Sequence, residues 1–167
     1  MASTEMLQAL RDLRFSADLS EGDLIKLAEI SEFVEFSAGT TIFSEGSKSP
    51  YIFLLRNGRV ELSMCAPAKG CLTLLTLEGG ELLGWSPTLV QGEMTATAIA
   101  VKDTQAIRIA TDVLLSLCDS DHDIGYEMMR RVALALSRRL VATRLQLMDV
   151  HVHTPSSRPL SSTEGRA

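Results

Sequence analysis

The stretch YIFLLRNGRVELSM, from Tyr51 to Met64, decides the fold class. Its halves, YIFLLR (51–56) and RVELSM (59–64), are short, aliphatic and aromatic, and meet at Asn57-Gly58. A type I′ turn needs positive φ at both central residues, which Asn-Gly tolerates well, so the pair predicts a two-residue hairpin. The same grammar repeats outward. Upstream, EFVEF (32–36) runs into Ala38-Gly39, and TTIF (40–43) runs into Ser44-Glu45-Gly46. Downstream, a Pro67/Gly70 loop precedes CLTLLTL (71–77) and Gly79-Gly80. MTATAIAV (94–101), a Lys102-Asp103 turn and QAIRI (105–109) follow. Short strands at this spacing, punctuated by turn residues, predict a sandwich, barrel or roll.

Helical periodicity flanks the strands. Met6, Leu7, Leu10 and Leu13 are helically spaced within 3–14. Ser20-Glu21-Gly22-Asp23 resembles a capping box that opens a second helix, with Leu24, Leu27, Ala28 and Ile30 as its apolar face. After the strands, Thr111-Asp112 is read as the cap of a helix over DVLLSLC, and Asp121 or Asp123 as the start of a long helix to about Val150. The fold class is therefore α+β: an antiparallel β-roll (a double-stranded, jelly-roll-like barrel) flanked by N-terminal helices and a long C-terminal helix. Residues 1–31 form the N-terminal helices, 32–110 the roll, and 111–150 the C-terminal helices. Residues 151–167, rich in Ser and Pro, are expected to be a disordered tail.

Bulk properties narrow the function. A chain of 167 residues with 46% apolar and 22% charged residues suits one globular domain. The net charge of -5 argues against a chain that grips DNA phosphates, and no DNA-reading helix is expected after Val150. No apolar run reaches membrane-spanning length, and MASTEMLQALRDLRF lacks a signal-peptide core, so a cytoplasmic location away from the membrane is expected. Cys65, Cys71 and Cys118 show no C-x-x-C spacing and are expected to be free thiols.

Catalytic patterns are missing. His122, His151 and His153 are the only histidines, and none lies in a strand, where a cupin metal site would need them. The sequence has no Gly-x-Ser-x-Gly elbow, P-loop or dinucleotide fingerprint. The expectation is a binding or sensing protein, not an enzyme, with no metal. A metal-dependent cupin-like enzyme is the weakest competing reading.

The long helix carries a seam. Met129, Ala133, Leu136, Leu140, Thr143, Leu147 and Val150 alternate spacings of four and three, a heptad pattern over three repeats. A second apolar set, Val132, Ala135, Leu145 and Met148, lies elsewhere around the helix. A helix packed on its own roll would account for one set. One face for the roll and one for a partner accounts for both, so a homodimer is expected.

Between Gly79-Gly80 and the strand at 94–101, Ser86-Pro87 suits a helix start, with a turn or two over PTLVQ. A short helix inserted between strands aims free amides outward from its N-terminus, which favours an anion.

At this point the sequence resembles the cyclic nucleotide-binding domain of the Crp/Fnr regulators and kinase regulatory subunits, from about Leu13 to Val150. The residues that carry the likeness are Ser37-Ala38-Gly39-Thr40 with Ile42-Phe43 and Glu45-Gly46, then Tyr51 to Leu55 with Asn57-Gly58-Arg59-Val60. Gly80 to Gly84 would open the phosphate-binding cassette (80–96), and Ser137-Arg138-Arg139-Leu140 with Thr143 resembles the long helix. The resemblance implies a cyclic nucleotide ligand, with Leu83, Gly84, Trp85, Ser86, Met94, Thr95, Thr143 and Arg144 as the candidate site. It also implies where this chain departs. Aligned through Gly80, Gly84 and Ala96, Trp85 stands at the family's ribose-binding Glu and Met94 at its phosphate-binding Arg. Thr95 matches a small hydroxyl beside the phosphate, and Arg144 replaces a base-contacting hydroxyl. The literal Gly80-Glu81-Leu82 lies four residues too early, so Glu81 is read as loop.

Losing two charge-assisted hydrogen bonds costs on the order of 3–6 kcal/mol, roughly a hundred- to ten-thousand-fold in affinity. Trp85 and Met94 therefore either fill a disused pocket or line one for a more apolar small molecule. The expected function is a stand-alone regulatory sensor of cyclic nucleotide-binding type that does not hold cyclic AMP in the family's usual way. The alternative is a ligand-free dimeric adaptor for an unidentified protein partner.

Overall fold

The computed structural model describes residues 3–86 and 92–152. Helices α1 (Thr4–Asp12) and α2 (Glu21–Glu29) precede eight strands: β1 (Ser31–Phe36), β2 (Thr41–Phe43), β3 (Tyr51–Asn57), β4 (Arg59–Ala66), β5 (Gly70–Glu78), β6 (Leu82–Leu83), β7 (Thr97–Ala100) and β8 (Thr104–Ala110). Helices α3 (Thr111–Ser120) and α4 (His122–Val152) follow. The strands form two four-stranded antiparallel sheets, β1-β8-β3-β6 and β2-β7-β4-β5, which give the expected roll.

Strand β3 shows why its sequence is continuously apolar. Phe53 and Leu55 enter the core between the sheets, beside Val60, Leu77, Leu83 and Ala106. Ile52 and Leu54 enter a second core under the helices, beside Leu10, Leu27, Ile107 and Met128. Alternate side chains on a strand take opposite faces, so a strand covered on both sides has no polar face.

Asn57-Gly58 is not a hairpin. Strands β3 and β4 lie in different sheets, so the chain turns a corner here and β3 pairs with β8 and β6 instead. Gly58 has a positive φ of 92° but Asn57 does not, which excludes type I′ geometry. The Asn57 side chain is engaged elsewhere: its Nδ2 donates to Gln105 Oε1 at 2.8 Å, and its Oδ1 accepts from the Gln105 amide at 3.1 Å. A Cβ on Gly58 would collide with Thr104 Oγ1 and would lie 2.6 Å from the Asp103 carbonyl. Gly58→Ala combines that clash with unfavourable backbone geometry. It should cost on the order of 2–4 kcal/mol in urea unfolding, and an unchanged midpoint would refute the tight corner.

The true hairpin joins β4 to β5, and it corrects the expectation of free thiols. Cys65 and Cys71 face each other across the ladder with Cα atoms 3.9 Å apart, joined as a disulfide, while Cys118 is free. Their six-residue separation spans the turn at 67–69, which seats them on opposed rungs. Burial raises the Cys118 thiol pKa, with Asp119 and Asp121 adding to the effect.

Helix starts agree only in part. The Ser20 hydroxyl accepts from the Asp23 amide at 3.1 Å, as a cap should, and the Asp23 carboxylate accepts a hydrogen bond from the Ser20 hydroxyl instead of from its amide. Asp121 accepts from the Asp123 and Ile124 amides and so caps α4. Thr111-Asp112 does not cap α3. Ala110 is the N-cap, with no side-chain hydrogen bond, and Thr111 is buried inside the helix with its hydroxyl unpartnered. The reason is that the Thr111 amide donates to the Pro50 carbonyl at 2.8 Å, pulling the helix start against the β3 entrance. Strand β7 starts at Thr97, not Met94. Met94 bonds to the loop before β3 instead: its amide donates to the Ser47 carbonyl at 2.7 Å, and its carbonyl accepts from the Gly46 amide at 2.8 Å. The helix expected over 87–91 and the tail at 153–167 lie outside the described residues.

A buried arginine that sequence periodicity did not single out joins the helical layer together. Arg131, 6% exposed, donates to the Phe15 carbonyl at 2.9 Å and to Asp18 at 2.7 Å, and pairs with Glu127. The hydrogen bonds from Arg131 hold the Asp18 and Glu127 carboxyls below the usual carboxylate range, despite opposing desolvation. A depressed folded pKa means that the unfolded chain takes up protons first. The stability these groups add is full above the ordinary carboxylate pKa of about 4 and is lost as pH falls through their folded values. Arg131→Met should therefore flatten the acid limb of a stability-versus-pH curve. An unchanged slope would show that these pairs do not contribute to acid sensitivity.

Candidate functional site

The cassette begins where β5 ends. Gly80 and Gly84 take positive φ, 88° and 79°, at either end of the short β6. Gly84 is tight as well as strained: a Cβ there would lie 3.0 Å from the Tyr51 carbonyl and 3.6 Å from Met94 Cε. Glycine suits this position because of its positive φ and the close approach of the Tyr51 carbonyl. Leu82 points to the helical core and Leu83 to the roll core, which fixes the direction of the chain as it enters Trp85.

Six of the eight sequence-derived site residues converge. Leu83, Gly84, Trp85, Ser86, Met94 and Thr95 line one cavity, with Phe43, Leu62, Ala96 and Arg139. Its volume is 30 Å³, the scale of a single water molecule and far below that of a nucleotide. Met94 is 2% exposed and belongs to the roll core, while half-buried Trp85 packs against the helical core. Ser86 is buried and Thr95 is exposed. Thr143 and Arg144 do not line the cavity. Both are exposed on α4, and the Thr143 hydroxyl donates to the Arg139 carbonyl one turn back, at 2.9 Å. Glu81 also lies outside it. Its carboxylate accepts from the Glu78 amide at 2.8 Å and closes the turn after β5.

The residue missing from the sequence reading is Arg139. It crosses from α4 to become the one cation lining the cassette cavity among the described residues, and its Nη2 is buried without a hydrogen-bond partner. Burial pushes its pKa down, and the nearby Glu81 carboxylate opposes the shift. The signal was present in Ser137-Arg138-Arg139-Leu140, but only the packing of α4 on the roll distinguishes Arg139 from its exposed neighbour Arg138. Cation, apolar side chains and hydroxyl make a small, polarised pocket, with no nucleophile–base pair among its described lining residues. Among the described residues no three His, Cys, Asp or Glu side chains gather as a metal site.

The seam residues of α4 divide along its length. Met129 and Leu136 are half-buried against the helical core, while Ala133, Leu140, Thr143 and Leu147 are exposed. The second set divides too: Val132 and Ala135 pack on the core, and Leu145 and Met148 are exposed. The Val150 side chain lies outside the described residues. No described helix is long and apolar enough to cross a membrane.

The profile of the cyclic nucleotide-binding domain matches residues 33–121, more than half of the chain. A CRP-like cAMP-activated global transcriptional regulator of Mycobacterium tuberculosis is 28% identical over 118 residues, covering 70% of this chain and 50% of that protein. A lysophospholipase nte1 of Aspergillus oryzae is 28% identical over 103 residues, covering 61% of this chain and 7% of that protein. The chain thus spans half or less of the length of these relatives. A solved structure from Geobacter metallireducens GS-15, assigned to cyclic nucleotide binding, superposes with a TM-score of 0.71 at 31% identity, covering 80% of this chain and 96% of the other. The chain belongs to the cyclic nucleotide-binding domain family.

Proposed function

We propose that this chain is a regulatory sensor module whose roll pocket does not hold cyclic AMP in the family's usual way, and whose long helix pairs with a second copy. The observation that carries the reading is the cassette cavity of 30 Å³, lined by Trp85 and Met94 and by Arg139 from α4. A ligand that entered would displace Trp85 or Met94 and meet Arg139. Its binding would therefore be felt by the helix that bears the pairing seam. A compact apolar molecule with one anionic or acceptor group fits that chemistry better than a ribose phosphate does.

The small size of the cavity also favours a second reading, a ligand-free dimeric adaptor that uses α4 for protein contacts. Native mass spectrometry of the purified protein, with calorimetric titration of cyclic AMP, separates the two. A retained small molecule supports the sensor, and a bare dimer that is silent to cyclic AMP supports the adaptor. Cyclic AMP binding at micromolar or tighter affinity would overturn both. The net charge of -5 leads us to expect no sequence-selective binding of duplex DNA by this chain in a gel shift.

A further inference from the structure

A second cavity, of 340 Å³, lies between α4, the segment after α1 and the turn between β5 and β6. Arg14, Arg130, Arg131, Arg138 and Arg139 line it, against two carboxylates, Asp18 and Glu81. Both carboxylates are engaged. Asp18 pairs with Arg131 and Arg130, and Glu81 accepts from the Glu78 amide. Arg130 and Arg131 also share Glu127. Arg14, Arg138 and Arg139 make no ion pair among the described residues, and Arg139 leaves a buried nitrogen unpartnered.

A second copy of the chain does not supply the missing charge from its helix seam. From Met128 to Met148, α4 has five arginines and no acidic residue, so a partner α4 packed along this stretch adds charge of the same sign. Apart from Thr76, the rest of the lining is apolar, with Phe15, Leu82 and Leu134 among its side chains. The combination of unpaired guanidinium forks and an apolar wall is one that multiply charged phosphates with an organic body satisfy. The volume falls within the range of about 300–1,000 Å³ typical of small-molecule pockets.

We propose that this cleft binds a soluble phosphorylated small molecule, at a site separate from the roll pocket. Arg139 lines both cavities, so an anion that draws its guanidinium toward the cleft takes a cation away from the cassette cavity. The cleft is then an anion-responsive input to the same helix, and its existence does not depend on what the roll pocket holds.

Calorimetry on the intact chain at low ionic strength, with inorganic pyrophosphate and ADP as probes, tests the site. One equivalent of each should bind per chain and weaken with added salt. Arg14 and Arg138 are exposed and unpaired, so Arg14→Gln with Arg138→Gln should leave the fold intact. That double change should weaken binding by about tenfold or more. Lys69→Gln with Lys102→Gln, which removes the same charge elsewhere, should leave binding unchanged, and excess cyclic AMP should not compete. If the double arginine variant misfolds, Arg138→Glu alone should give the same loss. The proposal is overturned if neither probe binds, if the lysine variant loses as much affinity, if cyclic AMP displaces the probes, or if only anionic phospholipid vesicles bind.

Discussion

Trp85→Glu combined with Met94→Arg should turn a chain silent to cyclic AMP into one that binds it, with a gain of about a hundredfold or more. The two changes restore a carboxylate for the ribose hydroxyl and a guanidinium for the cyclic phosphate. They act in a cavity that already holds Gly84, Ser86 and Thr95. Replacing a large indole also opens space where only 30 Å³ now exists. The structure sharpens what the single variants should do. Met94 is 2% exposed and shares its cavity with Arg139, so Met94→Arg alone buries a second guanidinium beside the first. That should destabilise the fold by on the order of 3 kcal/mol. Glu at 85 offsets part of the repulsion, so the double variant should be more stable than Met94→Arg. Cyclic AMP should raise its melting temperature, because a ligand that binds only the native state stabilises it by mass action. Calorimetry and thermal unfolding on the wild type, both single variants and the double variant decide the matter. A folded double variant that ignores cyclic AMP would refute the assignment of these two positions.

Leu140→Glu should convert a dimer into a folded monomer. Leu140 is 52% exposed and Leu147, seven residues on, is 57% exposed, so both project from the chain that carries them. The native fold of a single copy loses little when Leu140 changes. A paired seam would instead bury two facing carboxylates, at a cost of about 3 kcal/mol or more, enough to raise the dissociation constant over a hundredfold. Sedimentation or light scattering should show the mass halve while the circular dichroism spectrum is retained. Glu at exposed Val141, outside the heptad, should have a smaller effect. A monomeric wild type at high concentration, or equal effects at 140 and 141, would refute the seam.

The strand segments and the flanking helical faces were legible in the sequence because each depends on local periodicity. So were the cassette glycines, whose φ values side chains rarely adopt. Tertiary structure alone decided the rest. Asn57-Gly58 satisfies every local rule for a hairpin, yet Asn57 bonds to Gln105 and Gly58 packs on Asp103, so long-range pairing overrides turn propensity. Thr111 reads as a cap until the Pro50 carbonyl claims its amide. Cys65 and Cys71 become partners only once the hairpin register sets them on opposite rungs. Arg131, Arg138 and Arg139 look alike along the sequence. Packing of α4 against the roll makes one a buried tie, one an exposed charge and one the cation between two cavities, because burial depends on what surrounds a side chain and not on its neighbours along the chain.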